Sequence, residues 1–227
     1  MMPEKELKRM FEGVSRLYDF FNDLFSLMLV RVWRRTVSRR FLKKTNCVLD
    51  LGIGTGYMSK NIKEDSGVLT VGLDITKTMV LKNIEKLQLY SDPVIGTAVM
   101  MPFRDDAFET VVSSFTLRSF KKVSMDKAIS ECKRVVRDKG DIIMLDTAKP
   151  NDSLTLSFFS VYFKIIDFIG GIYNDPAYHW LTKSIMELDL GYVTKKLREH
   201  FNNVSVYKLT GGVAYIWLSK NYKSQKY

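Results

Sequence analysis

The chain has 227 residues, 46% of them apolar and 26% charged, a composition ordinary for one soluble domain that buries about 70–75% of its unfolded surface. Its two cysteines, Cys47 and Cys132, stand far apart, which excludes a disulfide framework or a zinc-ligand spacing and points to a reducing cytoplasm. The net charge of +10 gathers in Arg31, Arg34, Arg35, Arg39, Arg40, Lys43 and Lys44, a stretch without acids; it reads as a solvated helix face or a surface for anionic lipid, while the thin aromatic interleaving, Trp33 and Phe41 alone, argues against nucleic acid.

The N-terminus is charged and carries no apolar signal core. The first 45 residues read as helical, with Val14, Leu17, Tyr18, Phe21, Leu24, Phe25 and Met28 at helical spacing. From Cys47 onward strands and helices alternate, which implies a parallel sheet with crossover helices. The expected strands are Cys47–Leu51, Val68–Leu73, Pro93–Gly96, Thr110–Ser114 and Asp141–Leu145, with helices such as Thr76–Leu89 and Met125–Arg137 between them. After Pro150, two helices, Leu154–Ile172 and Pro176–Leu188, interrupt the pattern. The first is broken by Lys164, Asp167 and paired glycines, so it is no membrane span. A helix near Val193–His200 and strands Asn203–Leu209 and Val213–Ser219 follow, joined tightly at Thr210-Gly211-Gly212. Five parallel strands closed by an antiparallel hairpin make a mostly parallel seven-stranded α/β sheet, the layout of the Rossmann-like class I methyltransferases. One domain is expected: a helical cap over 1–45, a cofactor-binding core over 46–150, a helical lid over 151–190, and a last helix and hairpin over 191–227.

The segment VLDLGIGTG, Val48–Gly56, is a strand running into a glycine turn. Gly52, Gly54 and Gly56 let the backbone approach a ligand where a Cβ would collide. Asp50 stands two positions before the first glycine, where its charge opposes a pyrophosphate but suits a cation such as the amino-acid end of S-adenosyl-L-methionine. Asp74 ends the next strand about 20 residues on, where a carboxylate can hold both ribose hydroxyls. Ile53, Thr55 and Ile75 complete this candidate cofactor site, with Thr97 and Ala98 on the adenine side and Ser114 where the methyl group projects.

The chain resembles the quinone-biosynthesis C-methyltransferases over nearly its whole length. The resemblance rests on YDFFNDLFS at Tyr18–Ser26 followed by Arg31, Trp33 and Arg34. It includes Met101-Pro102-Phe103, Phe115, Leu117 and Arg118 in FTLRS, RVV, DTAKP at Asp146–Pro150, Ile169-Gly170, Asn174-Asp175, Tyr178, Leu181, Ser184-Ile185 and LTGG at Leu209–Gly212. It implies methyl transfer to a prenylated quinol, a demethylmenaquinol or a related benzoquinol. It puts Thr55, Asp74, Thr97, Ala98 and Ser114 on the cofactor and Arg118 beside the quinol, where a guanidinium stabilises a developing phenolate or orders a water. Arg118 also reads as a plain partner for a neighbouring acid. The chain departs from the family pattern with Val30 for His, Thr97 for Asp or Asn, Ser119 for Asn, and Asp146-Thr147-Ala148 for Glu-x-Ser.

Such a reaction needs no metal, and no metal-ligand cluster is visible. His179, in the lid, is a conceivable base, and His200 a surface residue. Phe158, Phe159, Tyr162, Phe163, Phe168 and Tyr173 suit either an apolar lid or core packing. With the basic N-terminal helices they would let the enzyme dock on the inner face of an anionic membrane. Other readings are a methyltransferase for another small molecule or lipid, one for RNA, or a non-catalytic binding subunit. Oligomeric state is not readable from the sequence.

Overall fold

Seven strands join into one sheet with the order β3-β2-β1-β4-β5-β7-β6. They are β1 Val48–Leu51, β2 Thr70–Asp74, β3 Ser91–Ile95, β4 Phe108–Ser114, β5 Val136–Thr147, β6 Asn203–Leu209 and β7 Ala214–Lys220. The structure is a computed structural model that describes residues 28–42, 45–150, 152–153, 155–162, 164 and 176–222, the last without the side chains of 176–179. Strands β1 to β5 run parallel, and β7 lies antiparallel to both β5 and β6. The described helices are α1 Leu29–Thr36, α2 Tyr57–Ser66, α3 Lys77–Lys82, α4 Ile84–Leu87, α5 Lys122–Val135, α6 over 155–162, α7 Pro176–Glu187 and α8 Leu190–His200.

The central strands are apolar on both faces because helices cover both. Leu49, Val111, Ile142 and Met144 enter one core, which Met125, Ile129 and Cys132 of α5 and Val193 and Leu197 of α8 complete. Their neighbours Val48, Val112, Ile143 and Leu145 enter the other, against Val30 and Trp33 of α1 and Met58 and Ile62 of α2. Neighbouring residues that serve opposite cores are the period-two geometry of a strand buried on both sides.

All seven expected strands form, and their ends move by a few residues. Strand β5 is the largest change. It begins at Val136, which pairs with Phe108, and a register shift between Phe108 and Thr110 precedes the regular ladder from Asp141. The single helix expected over Thr76–Leu89 is split at Asn83, whose Nδ2 donates to the Met79 carbonyl at 2.8 Å. Pro93 is tolerated because β3 is a sheet edge. Thr210–Gly212 forms one 3₁₀ turn, after which Leu209 pairs with Ala214 to close the hairpin.

The N-terminal helical reading before Met28 lies outside the described residues, as do Phe163, Phe168, Tyr173 and the Ile169-Gly170 and Asn174-Asp175 pairs. No helix among the described residues is long and apolar enough to cross a membrane.

Candidate active site

Strand order reverses between β1 and β4, and in open α/β sheets ligands bind at the carboxyl ends of the strands at such a point. A cavity of about 350 Å³ opens there. Among the residues expected to hold the cofactor, Gly52, Ile53, Gly54, Thr55, Asp74, Ile75, Thr97, Ala98 and Ser114 line it.

The glycine turn is built by its neighbours. The Gly52 and Ile53 N–H groups both donate to the Leu73 carbonyl, at 2.7 and 3.1 Å, which ties the turn to the end of β2. Gly52 has φ +76°, and a Cβ there would lie 2.3 Å from Thr116 Oγ1. Asp74 braces the turn from the other side. Its Oδ2 accepts from Gly54 N at 2.9 Å and its Oδ1 from Thr76 N at 2.8 Å. The Thr76 side chain and the Ile75 backbone hydrogen-bond the same carboxylate, which fixes it at the cavity edge. Burial raises its pKa, and the backbone donors at Thr76 and Gly54 act against that rise.

Three expected site residues do not line this cavity. Gly56 is the N-cap of α2 at φ +83°, and a Cβ there would meet Leu87 Cδ2 at 2.5 Å, so its glycine serves packing. Asp50 is fully buried beneath the turn. Its Oδ2 accepts from Ser59 N at 3.1 Å and Ser59 Oγ at 2.6 Å, while Thr70 Oγ1 donates to Ser59 Oγ at 2.7 Å. Because Gly56 has no side chain to cap α2, Asp50 supplies the cap from β1. Burial pushes the Asp50 carboxyl up to about 6, against the opposing Ser59 hydrogen bond and the charge of Arg34. Its Oδ1 is buried without a hydrogen-bond partner.

Arg118 is the third. It is 4% exposed, and its Nη1 contacts Asp146 Oδ1 and Thr147 Oγ1, both at 2.9 Å. Asp146 is fully buried and also accepts from the backbone N–H of Arg118 and of Thr147. Burial raises the Asp146 carboxyl, and the Arg118 charge is the largest influence against that. The guanidinium carbon stands 5.3 Å from the Phe115 ring centroid, and Phe115 does line the cavity. Phe115 holds φ +60°, in the left-handed region that few bulky residues enter. Its N–H donates to the Leu145 carbonyl at 2.7 Å.

Two arginines near the site received no role in the sequence reading. Arg34 stands in the basic run and among the residues of the family resemblance, neither of which gave it a role, yet it lines the cavity from α1. Arg134 reads as half of an RVV motif, but it brackets the Met101–Phe103 turn. It donates to the carbonyls of Met101 and Phe103 and to Glu131 and Asp105, while Glu131 Oε2 accepts from Met101 N at 2.6 Å. The rest of the basic run is partly neutralised, since Arg35 and Arg39 pair with Asp65. His200 ends α8 with Nε2 3.4 Å from Asp126 Oδ1, far along the chain from the cavity-lining residues. The His179 side chain lies outside the described residues.

A glycine turn after β1, an acidic residue closing β2, and a five-strand parallel sheet finished by a reversed hairpin define a class I S-adenosylmethionine-dependent methyltransferase. The profile of the ubiE/COQ5 methyltransferase family matches residues 1–221, and the chain belongs to that family. It is 29% identical over 222 residues to a demethylmenaquinone methyltransferase of Thermotoga maritima, covering 95% of this chain and 96% of that one. It is 31% identical over 233 residues to the ubiquinone/menaquinone biosynthesis C-methyltransferase UbiE of Haemophilus ducreyi, covering 94% and 86%. In fold it resembles a putative S-adenosyl-L-methionine-dependent methyltransferase from Methanococcus maripaludis, with a TM-score of 0.65 at 17% identity and all of both chains covered. It also resembles a possible histamine N-methyltransferase from Thermotoga maritima, with a TM-score of 0.68 at 14% identity over 94% of this chain and 99% of that one.

Proposed function

We propose that this enzyme moves the methyl group of S-adenosylmethionine to a ring carbon of a demethylated, prenylated quinol. The observation that carries the reading is one cavity lined from Asp74 on β2, across the glycine turn, to Ser114 and Phe115 at the end of β4. The residues fit a nucleoside donor. Gly52 and Gly54 leave the floor clear of side chains, and the Asp74 carboxylate lines the cavity at the end of β2, where it can meet the ribose. Ile53, Thr55, Ile75, Thr97, Ala98 and Ser114 would surround the same ligand. The relatives named above as quinone-biosynthesis enzymes support the acceptor class.

The donor, when bound, supplies an electrophilic methyl group. The chain's task is to bring an activated ring carbon into line with it, and such positioning contributes on the order of 7–11 kcal/mol. An aromatic carbon becomes nucleophilic when a neighbouring hydroxyl loses its proton. Arg118 stands behind Phe115 with a buried Nε that has no partner, and it is the candidate to stabilise that phenolate. Asp146 and Thr147 would fix the guanidinium for this role.

Prenylated quinols reside in a bilayer, so the reaction would occur at the inner face of an anionic membrane. Met28, Val32, Phe158 and Val161 are exposed apolar residues that could serve that contact. Phe159 instead packs against the core, so the lid aromatics divide between two faces.

The test is methyl transfer from labelled S-adenosylmethionine to reduced demethylated naphthoquinols and benzoquinols in anionic vesicles. Labelled quinone product is the expected result. Donor binding without quinol product would overturn the acceptor and leave another small molecule or lipid in its place.

A further inference from the structure

Helix α1 brings into the cavity a cation that the glycine turn does not account for. Val30, Trp33 and, just past the helix, Val37 are its buried residues. Arg34, four positions after Val30 and three before Val37, shares their face by helix geometry and lines the cavity. Its Nε is 3.4 Å from Ser114 Oγ. Its guanidinium carbon stands 4.9 Å from the Phe115 ring centroid and 5.6 Å from that of Tyr57. Two aromatic rings so close restrict the plane of the guanidinium. Arg31, at 5.8 Å, and Lys86, at 4.8 Å, also face the Tyr57 ring, so this end of the cavity is cationic.

The neighbouring anion is Asp50. Ser59 holds its Oδ2, and its Oδ1 is buried with no partner. Arg34 lines the cavity, and its charge acts on Asp50, which lies buried on β1 beneath the turn and does not itself line the cavity. A zwitterionic amino-acid end, with one carboxylate and one ammonium, is the ligand chemistry that such a pair matches. Guanidinium is the side chain best shaped for the carboxylate, since it offers paired donors in one plane.

We propose that Arg34 binds the carboxylate of the donor's amino-acid end and so selects an intact amino-acid-bearing nucleoside over a decarboxylated one. This rests on the donor reading above. Arg34 would thus be a binding and specificity residue rather than a group acting on the methyl acceptor.

The experiment is calorimetric titration of the full chain with S-adenosylhomocysteine and with its decarboxylated analogue. Wild type is expected to prefer the carboxylate-bearing ligand by about tenfold to a hundredfold, the span of one charge-assisted hydrogen-bonded contact. In Arg34→Met that preference should collapse to within about twofold, through loss for S-adenosylhomocysteine alone. Arg34→Lys keeps the charge without the planar fork and should retain part of the preference. If Arg34→Met does not fold, a preference in Arg34→Lys equal to that of wild type overturns the inference. Equal loss for both ligands would make Arg34 a packing residue, and no loss for either would move it to the acceptor. A wild-type chain that binds neither ligand would instead remove the donor reading itself.

Discussion

Replacing Arg118 with Ala should destabilise the protein before it says anything about catalysis. The substitution leaves Asp146 fully buried and without its ion-pair partner. Removing one member of a buried pair costs about 3–5 kcal/mol. Asp146 keeps two backbone donors, from residues 118 and 147, so the lower end applies, about 3 kcal/mol. For a chain of this length that corresponds to a fall in Tm of roughly 6–12 °C. The cost also has a pH signature. Burial already raises the Asp146 carboxyl, and Arg118 restrains that rise, so the variant raises it further. A folded-state carboxyl raised above its unfolded value stabilises at low pH and loses that contribution as pH rises through the folded value. The deficit of Arg118→Ala against wild type should therefore shrink as pH falls. Urea unfolding at several pH values, with Asp146→Asn and the double variant to complete a cycle, measures this. Asp146→Asn should recover part of the loss in the Arg118→Ala background. A single-variant cost below about 1 kcal/mol, or one that ignores pH and Asp146, would refute the ion-pair argument and free Arg118 for a purely catalytic role.

Asp50→Asn tests the other buried carboxylate. Wild type should lose stability relative to the variant as pH rises from 3.8 to about 6, since that is the window over which Asp50 ionises more easily unfolded than folded. Urea unfolding of both chains across that range measures it, and parallel pH profiles would refute the burial argument. Gly52→Ala puts a Cβ 2.3 Å from Thr116 Oγ1 at φ +76°. It should cost roughly 1–3 kcal/mol in urea unfolding and weaken donor binding, and a neutral effect on both would mean that the turn adapts. Trp33→Phe removes the 2.9 Å hydrogen bond from Nε1 to Thr210 Oγ1, which ties α1 to the turn between β6 and β7. About 1 kcal/mol of stability should go with it, and unchanged unfolding would show that the contact adds nothing net.

What could be read from residues alone follows from how local each signal is. The strands were legible because apolar runs such as Val111-Val112 and Ile142-Ile143 must be buried on both sheet faces, and the glycines mark where β1 ends. Their boundaries were not, because β5 gains five residues before Asp141 through a pairing with Phe108 that no local pattern encodes. The lining of the cavity was legible through spacing, with Asp74 about 20 residues past the turn and its carboxylate bonded to Gly54 N. The chemistry of the other charges was not. Asp50 and Arg118 carry the residue types a site needs, yet each is buried on protein partners, Ser59 for one and Asp146 for the other. Arg34 inverts the case. The sequence reading gave it no role of its own within the basic run and the family resemblance, although its spacing from Val30 and Val37 already put it on the buried stripe of α1. Arg35 and Arg39, off that stripe, meet Asp65 at the surface, whereas Arg34 reaches the cavity. Helical phase thus separates the cavity-lining arginine from its neighbours, where counting charge along the run cannot.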